Sequence, residues 1–312
     1  MTDAVPSKIL NLGLIGAGVW GRNFIKTIAG LDGARLTRLA SRNPESAALV
    51  PPDCVISDDW RDLMAAQDLD GVIIATPPAL HAEMTLAAID AGLAVLVEKP
   101  MTLSLAEAEA VVSAARAKNA IVLVDHIHLY SAAWEVLKKE ARVHGPLQAI
   151  SAVAGNWGPF RPDTPMLWDW GSHVIAMAMD LVGRRPETAV ARSIEIRDVE
   201  NGKGEALALE LGFGDITAKI VISTLYAEKN WLFTASLKGG ELVYDDTLDD
   251  KLRLKITPQD PGKPVALADG RPLERAVQAF SAAIHRGQAD FKDAVLGHDV
   301  VGVLEQLQKH LA

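Results

Sequence analysis

The string Gly16-Ala17-Gly18-Val19-Trp20-Gly21 is where residue type and spacing first point to chemistry in this 312-residue chain. It matches G-x-G-x-x-G, directly after an apolar run over residues 9–15 and before an amphipathic stretch over 19–31. In that setting Gly16 makes the tight turn, Gly18 lets the backbone approach a pyrophosphate, and Gly21 permits close helix–strand packing. Val19 and Trp20 open the helix whose free N–H groups then face the anion. About twenty residues further on, such loops usually present a carboxylate to the ribose hydroxyls of NAD. Ser41 and Arg42 stand there instead. A carboxylate repels a 2′-phosphate, whereas a hydroxyl and a guanidinium bind one through charge-assisted hydrogen bonds. The swap favours NADP(H) over NAD(H), with a solvated turn arginine as the plain alternative for Arg42.

Two further clusters carry candidate chemistry. Asp125, His126 and His128 are of metal-ligating types, and on a continuing strand His126 and His128 share one face. Their spacing matches no known ligand motif, and no metal is expected. Asn156, Trp157 and Arg161, together with His128 and Tyr130, are the candidate substrate contacts. Aromatic faces beside polar groups suit stacking on a sugar ring and binding its hydroxyls or an anionic group. A Pro-rich loop packed by its own aromatics is the alternative.

These residues need elements to hold them. Strand-like apolar runs cover 9–15, 35–40, 71–75, 94–97 and 120–124, and helical patterns cover 19–31, 79–91 and 105–118. Near-continuous apolar strands separated by helix-length segments require a parallel sheet covered on both faces. Right-handed crossovers make it doubly wound, with ligands beyond the carboxyl ends of its strands. After about Tyr130 the pattern changes. A helix is expected over 131–141, stopped at His144-Gly145-Pro146. Leu207, Leu209, Leu211 and Phe213 then alternate, as do Ile216, Ala218, Ile220 and Ile222, followed by runs over 232–237 and 242–244. Period-two alternation predicts an antiparallel sheet with unlike faces. Helical periodicity returns over 272–285 and 293–311. The expectation is α/β: an N-terminal Rossmann domain over 1–127, then an α+β domain over 128–312 whose C-terminal helix packs back on the first.

Further motifs make this specific. Ala75-Thr76-Pro77-Pro78-Ala79-Leu80-His81 follows one strand run, and Glu98-Lys99-Pro100 follows another. With the glycine loop, they resemble the Gfo/Idh/MocA oxidoreductases, the family of glucose–fructose oxidoreductase and inositol dehydrogenase. The motifs are dense over 9–131, while the likeness in architecture extends over essentially the whole chain. The resemblance implies that Thr76, Pro77, His81, Glu98 and Lys99 line the cofactor, with Glu98 on the nicotinamide ribose. It implies that Lys99 also reaches the reacting hydroxyl or carbonyl. Asp169-Trp170-Gly171-Ser172-His173 supplies the Asp-x-x-x-His element, and on a helix this spacing puts both side chains on one face. Hydride loss from an alcohol needs a base, and ketone reduction needs the corresponding acid. His173 suits that task near neutral pH, Lys99 stabilises a developing alkoxide, and Asp169 orients His173 or binds a substrate hydroxyl. Many relatives have Gly-Gly before the Asp and another Asp beyond the His, where this chain has Leu167-Trp168 and Val174-Ile175. The substrate class is thereby left open among sugars, cyclitols and sugar nucleotides. A non-catalytic dinucleotide sensor is the rival, and the presence of both Lys99 and His173 argues against it.

Composition closes other routes. Lys and Arg number 31 against 40 Asp and Glu, a net charge of −9. No basic cluster is present to neutralise a run of phosphates, which argues against nucleic acid. The single cysteine, Cys54, excludes a disulfide framework and a cysteine zinc cluster, and reads as a small buried residue at a strand start. The N-terminus lacks a signal-peptide pattern and the first apolar run is too short for a bilayer, so a cytoplasmic, non-membrane protein is expected. A broad sheet with one uncovered face would expose residues such as Leu225 and Phe233, and a homo-oligomer (dimer or tetramer) is the expected remedy.

Overall fold

A computed structural model of the chain describes residues 8–161, 164–200, 202–257 and 259–311. The chain forms two compact units: Met1–Asp125 with Pro272–His298, and His126–Arg271 with Asp299–Ala312.

The first unit is built from β1 (Leu10–Ile15), α1 (Val19–Ile28), β2 (Ala34–Ala40), β3 (Val55–Ser57), α2 (Arg61–Ala65), β4 (Gly71–Ile74), α3 (His81–Asp90), β5 (Ala94–Glu98), α4 (Leu105–Lys118) and β6 (Val122–Asp125). Its sheet runs β3-β2-β1-β4-β5-β6, and every pairing is parallel. β4, β5 and β6 are buried along their whole length, the condition that makes parallel strands read as unbroken apolar runs. Ser104 caps α4 by accepting from the Glu107 N–H at 3.2 Å, and Asn119 closes it in the left-handed region at φ 49°. α3 starts two residues later than its pattern predicts, because Pro77 and Pro78 set a separate 3-10 turn over Pro78–Leu80. β3 carries no such signal: it is three residues long at the sheet edge, and Val55 and Ile56 are exposed.

The second unit contains α5 (Ala132–Val143), β7 (Leu147–Trp157), α6 (Ser172–Val182), β8 (Thr188–Val199), β9 (Gly202–Phe213), β10 (Ile216–Ser223), β11 (Leu225–Leu237), β12 (Gly240–Asp245), β13 (Leu252–Lys255) and β14 (Lys263–Pro264). Its eight-stranded sheet runs β14-β13-β12-β11-β7-β10-β9-β8, antiparallel except where β7 pairs with β10. The alternation over 207–222 is the β9–β10 hairpin, with Leu207, Leu209, Leu211, Phe213, Ile220 and Ile222 buried. Two helices follow: α7 (Pro272–Arg286) and the first residues of α8 (Lys292–Gln308) belong to the first unit, and the rest of α8 to the second. In the second unit Trp168 Nε1 donates to Gln308 Oε1 near the end of α8, at 3.3 Å.

Phe233 is not exposed as expected: it is 1% accessible, edge-on to Trp134 of α5 with ring centroids 5.0 Å apart. Leu225 is half-buried against Gly204, where an added Cβ would fall 2.2 Å from a Leu225 methyl. α5 packs on the face that carries Phe233. The exposed apolar residues of this sheet include Val190, Ile194 and Ile196, on the edge strand β8.

Candidate active site

In the first unit, the carboxyl ends of β1 and β4 open on a cavity of about 770 Å³ whose lining includes Gly16, Gly18, Ser41, Arg42, Thr76 and Pro77. Gly16 has φ +97°, and a Cβ there would meet the Ala75 carbonyl oxygen at 2.5 Å. A Cβ on Gly21 would lie 2.1 Å from the Gly16 carbonyl oxygen, while one on Gly18 would touch nothing within 4 Å. The three glycines thus do what the loop requires: a left-handed turn, an open approach and a close backbone contact. Val19 is largely exposed and Trp20 half-buried at the start of α1. Ser41 Oγ lies 2.8 Å from Ser46 Oγ, and Arg42 is exposed. Sequence reasoning missed Asp58, Asp59, Trp60 and Arg61, which also line the cavity. Arg61 lies 4.4 Å over the Trp60 ring and donates to Glu83 at 2.9 Å. They follow the short edge strand β3, which has no pattern of its own to flag them.

At the ends of β5 and β6, Glu98 and Asp125 are paired in register and buried. Glu98 Oε1 and both Asp125 carboxyl oxygens are enclosed with no hydrogen-bond donor among the described residues. Burial, then the neighbouring Asp125 charge, raises Glu98 well above the ordinary carboxylate range, against the pull of Lys99. Burial lifts Asp125 to about 7, with Glu98 and Lys99 acting in the opposite sense. Two such groups retain a proton near neutral pH that surface carboxyls would lose. Buried acceptors lacking donors, on the same sheet edge as the glycine loop, suit the hydroxyls of a dinucleotide ribose. Lys99 is half-buried beside them.

His81 corrects its expected role. It is fully buried, with Nδ1 2.8 Å from the Pro100 carbonyl oxygen and Nε2 2.9 Å from that of Thr76. It therefore ties the Thr-Pro turn to the Glu-Lys-Pro segment instead of facing the cavity. Burial lowers its pKa, the two carbonyls opposing, and the neutral ring has a single N–H with which to donate.

In the second unit, Asp169 sits in a π-helical turn, Leu167–Gly171, that runs directly into α6, and His173 lies in the first turn of α6. Wide turns of this kind are frequent at functional sites. Arg161 Nε approaches Asp169 Oδ2 at 3.6 Å. The His173 ring is edge-on to His128 at 5.2 Å and to Trp231 at 5.7 Å. His128 stacks flat on Trp231 at 3.8 Å, its Nδ1 lies 3.4 Å from the Tyr244 hydroxyl, and Trp170 tilts against Trp231 at 5.8 Å. Burial, then Asp246, raises the pKa of that phenol. Trp231 and Tyr244 were not singled out from the sequence; they reach His128 from β11 and β12, about a hundred residues on.

His126 and His128 do not share a strand face. β6 ends at Asp125, and Ile127–Tyr130 forms a 3-10 turn with His126 buried before it and Tyr130 half-buried at its end. No group of three or more His, Cys, Asp or Glu placed to hold a metal occurs among the described residues. Asn156 is half-buried, and Trp157 is 50% exposed with its ring edge-on to Phe160. Arg161, but neither Asn156 nor Trp157, lines a separate cavity of about 510 Å³ within this unit. Cys54 is buried just before β3, and burial with the nearby Asp53 raises its thiol to about 11. Among the described residues no helix is long and apolar enough to cross a membrane.

Residues 10–126 match the Gfo/Idh/MocA family, described as an oxidoreductase family with an NAD-binding Rossmann fold. A solved structure from Magnetospirillum magnetotacticum MS-1, named as a candidate oxidoreductase, is 45% identical with a TM-score of 0.91, over 96% of this chain and 100% of that one. The scyllo-inositol 2-dehydrogenase (NADP(+)) IolW of Bacillus subtilis is 27% identical over 80% of this chain and 74% of that protein. UDP-N-acetylglucosamine 3-dehydrogenase GnnA from Acidithiobacillus ferrooxidans shares the fold, with a TM-score of 0.83 and 23% identity over 96% of this chain and 97% of that one. The chain belongs to the Gfo/Idh/MocA family and is an NAD(P)-dependent oxidoreductase.

Proposed function

We propose that this protein interconverts a secondary alcohol and a ketone on a sugar, cyclitol or sugar-nucleotide substrate, with NADP(H) as the preferred cofactor. Bound nicotinamide supplies the hydride acceptor or donor. The observation that carries the reading is the pair of buried, mutually coupled carboxyls, Glu98 and Asp125, beside Lys99 at the strand ends on the side of the sheet that also bears the glycine loop.

Gly16, Gly18, Val19, Trp20 and Gly21 hold the pyrophosphate, Thr76 and Pro77 line the cavity, and Glu98 accepts from the ribose. Lys99 donates to the substrate oxygen as negative charge develops there. His173 takes up the alcohol proton or returns it to the ketone, held by the His128–Trp231 stack. Asp169, engaged by Arg161, positions that end of α6. The preference for NADP(H) rests on Ser41 and Arg42, and on a second cation, Arg61, in the same cavity. Names among the relatives support the polyol class, since they include an inositol and a nucleotide-sugar dehydrogenase. The exposed apolar residues of β8 support a homo-oligomer in which they are covered, and sedimentation at micromolar concentration reads that directly. A cytoplasmic setting fits the single reduced thiol.

The test is a fluorescence titration with NADPH and NADH, followed by a panel of keto-sugars, cyclitols and nucleotide sugars. Tight NADPH binding with oxidation by one panel member is expected. Absence of binding by either cofactor would overturn the assignment.

A further inference from the structure

The second unit holds a line of polar groups, Asp246, Tyr244 and His128, that ends beside His173. The Tyr244 hydroxyl lies 3.2 Å from Asp246 Oδ1 and 3.4 Å from His128 Nδ1, and the Tyr244 side chain is fully enclosed. Lys229 and Lys251 hold Asp246 at 2.8 and 2.6 Å, so its carboxyl stays ionised and can only accept. A phenol has a single hydrogen. Once that hydrogen is donated to Asp246, the Tyr244 oxygen is left to accept, and His128 must bring the proton on Nδ1. The opposite direction would set lone pairs of the phenol and the carboxylate against each other at 3.2 Å. The Ser131 hydroxyl also hydrogen-bonds this phenol, which has a second lone pair to receive it.

Ring stacking cannot make that choice. His128 lies flat on Trp231, with centroids 3.8 Å apart and planes 9° from parallel, which fixes the plane of the imidazole. A half-turn of the ring keeps that plane and nearly the same shape, but exchanges nitrogen for carbon at each edge. The His173 ring, edge-on at 5.2 Å, packs equally well against either orientation. What differs is polarity. With Nδ1–H held by Tyr244, Nε2 carries the lone pair and is the acceptor of the ring. The groups around His128 are thus His173 from α6, Trp231 from β11 and Tyr244 from β12, with Asp246 and its two lysines behind the phenol.

We infer that Asp246 and Tyr244 are positioning residues that fix His128 as its Nδ1–H tautomer, so that a lone pair and not an N–H accompanies the charge developing on His173. His128 takes no proton itself in this role, which rests on the proposed proton transfer by His173. The test is nitrogen NMR of the full-length protein carrying isotope-labelled histidine, with His128→Gln identifying the signal by its loss. In the wild type the neutral His128 ring is expected to be protonated on Nδ1, and in Tyr244→Phe on Nε2, the form an isolated imidazole prefers. Turnover of NADPH with keto-sugars, cyclitols and nucleotide sugars supplies the second readout. Tyr244→Phe lowers kcat about tenfold, the value of one hydrogen bond, with KM little changed. A wild-type His128 protonated on Nε2 would overturn the inference, whether or not the variant folds. So would a variant that keeps the wild-type tautomer, or one that changes it and turns over at the wild-type rate. Failure of the wild-type protein to bind either cofactor, with the tautomer as expected, would instead count against the oxidoreductase assignment.

Discussion

The two units treat their buried carboxylates in opposite ways. In the first, Glu98 and Asp125 are enclosed at adjacent strand ends, their free oxygens without donors, and burial raises both pKa values. In the second, Asp246 is also largely buried, but Lys229 at 2.8 Å and Lys251 at 2.6 Å outweigh burial and bring it down to about 2. One arrangement holds a proton and open acceptors ready for a ligand; the other is a closed ion-pair network that stiffens the sheet around Tyr244, whose hydroxyl lies 3.2 Å from Asp246. Burial alone does not decide a carboxyl group's role. What it is buried with does.

The largest effect expected is on turnover. Lys99→Ala and His173→Ala each lower kcat by roughly 10²–10⁴-fold in steady-state assays, the range for a lost proton-transfer group. If either variant turns over at the wild-type rate, the proposed division of labour between the unit that carries Lys99 and the unit that carries His173 breaks.

Stability should sharpen the contrast next. Phe233→Ala, which empties the contact under Trp134, is expected to cost about 3–5 kcal/mol by denaturant melts of the second unit. The pH dependences should then have opposite signs. Asp125 has a folded pKa of about 7, above its unfolded value near 3.8. Its stabilising contribution is complete below the unfolded value and is lost as pH rises through about 7. Asp125→Asn should therefore raise the melting temperature at pH 8 relative to wild type by several degrees, and change little at pH 4. Asp246 has a folded pKa of about 2, below its unfolded 3.8, so its contribution is present above the unfolded value and lost as pH falls toward 2. Asp246→Asn should cost about 2 kcal/mol at pH 7 and little at pH 2. Parallel pH–melting curves for the two variants would remove the distinction.

The smallest effect is expected at the cofactor rim. Arg42→Ala should weaken NADPH about tenfold, the value of one charge-assisted contact, and leave NADH nearly unmoved. Equal loss for both cofactors would show Arg42 to be a general rim residue, and NADP(H) selectivity would pass to Arg61.

How much was legible differs between the units for a physical reason. β1, β4, β5 and β6 announce themselves because parallel strands buried on both faces must be apolar throughout, and the glycine loop because only glycine survives a Cβ contact of 2.1 Å. The central strand β7 was not anticipated. Its inward residues include Ala152 and Ala154, and small side chains give alternation little contrast. The motif assigns His81 to the cofactor because a histidine in a sequence carries no mark of burial, and only its two carbonyl contacts reveal a tie between loops.

The dinucleotide loop, the parallel sheet behind it, and the Glu98-Lys99 and Asp169–His173 segments are readable in the chain alone, because each is local: neighbours in the chain carry the whole pattern. What surrounds them is set by contacts between segments far apart in the chain. Trp231 meets His128 because β11 pairs with β7 so that Trp231 lies opposite Ala154, and a one-residue slip there would turn that indole to the opposite face. Likewise Asp125 becomes a partner of Glu98 only because β6 lies beside β5. Burial and pairing between distant segments set whether a charged or aromatic side chain stabilises the fold, holds a proton or waits for a ligand, and no local pattern encodes that.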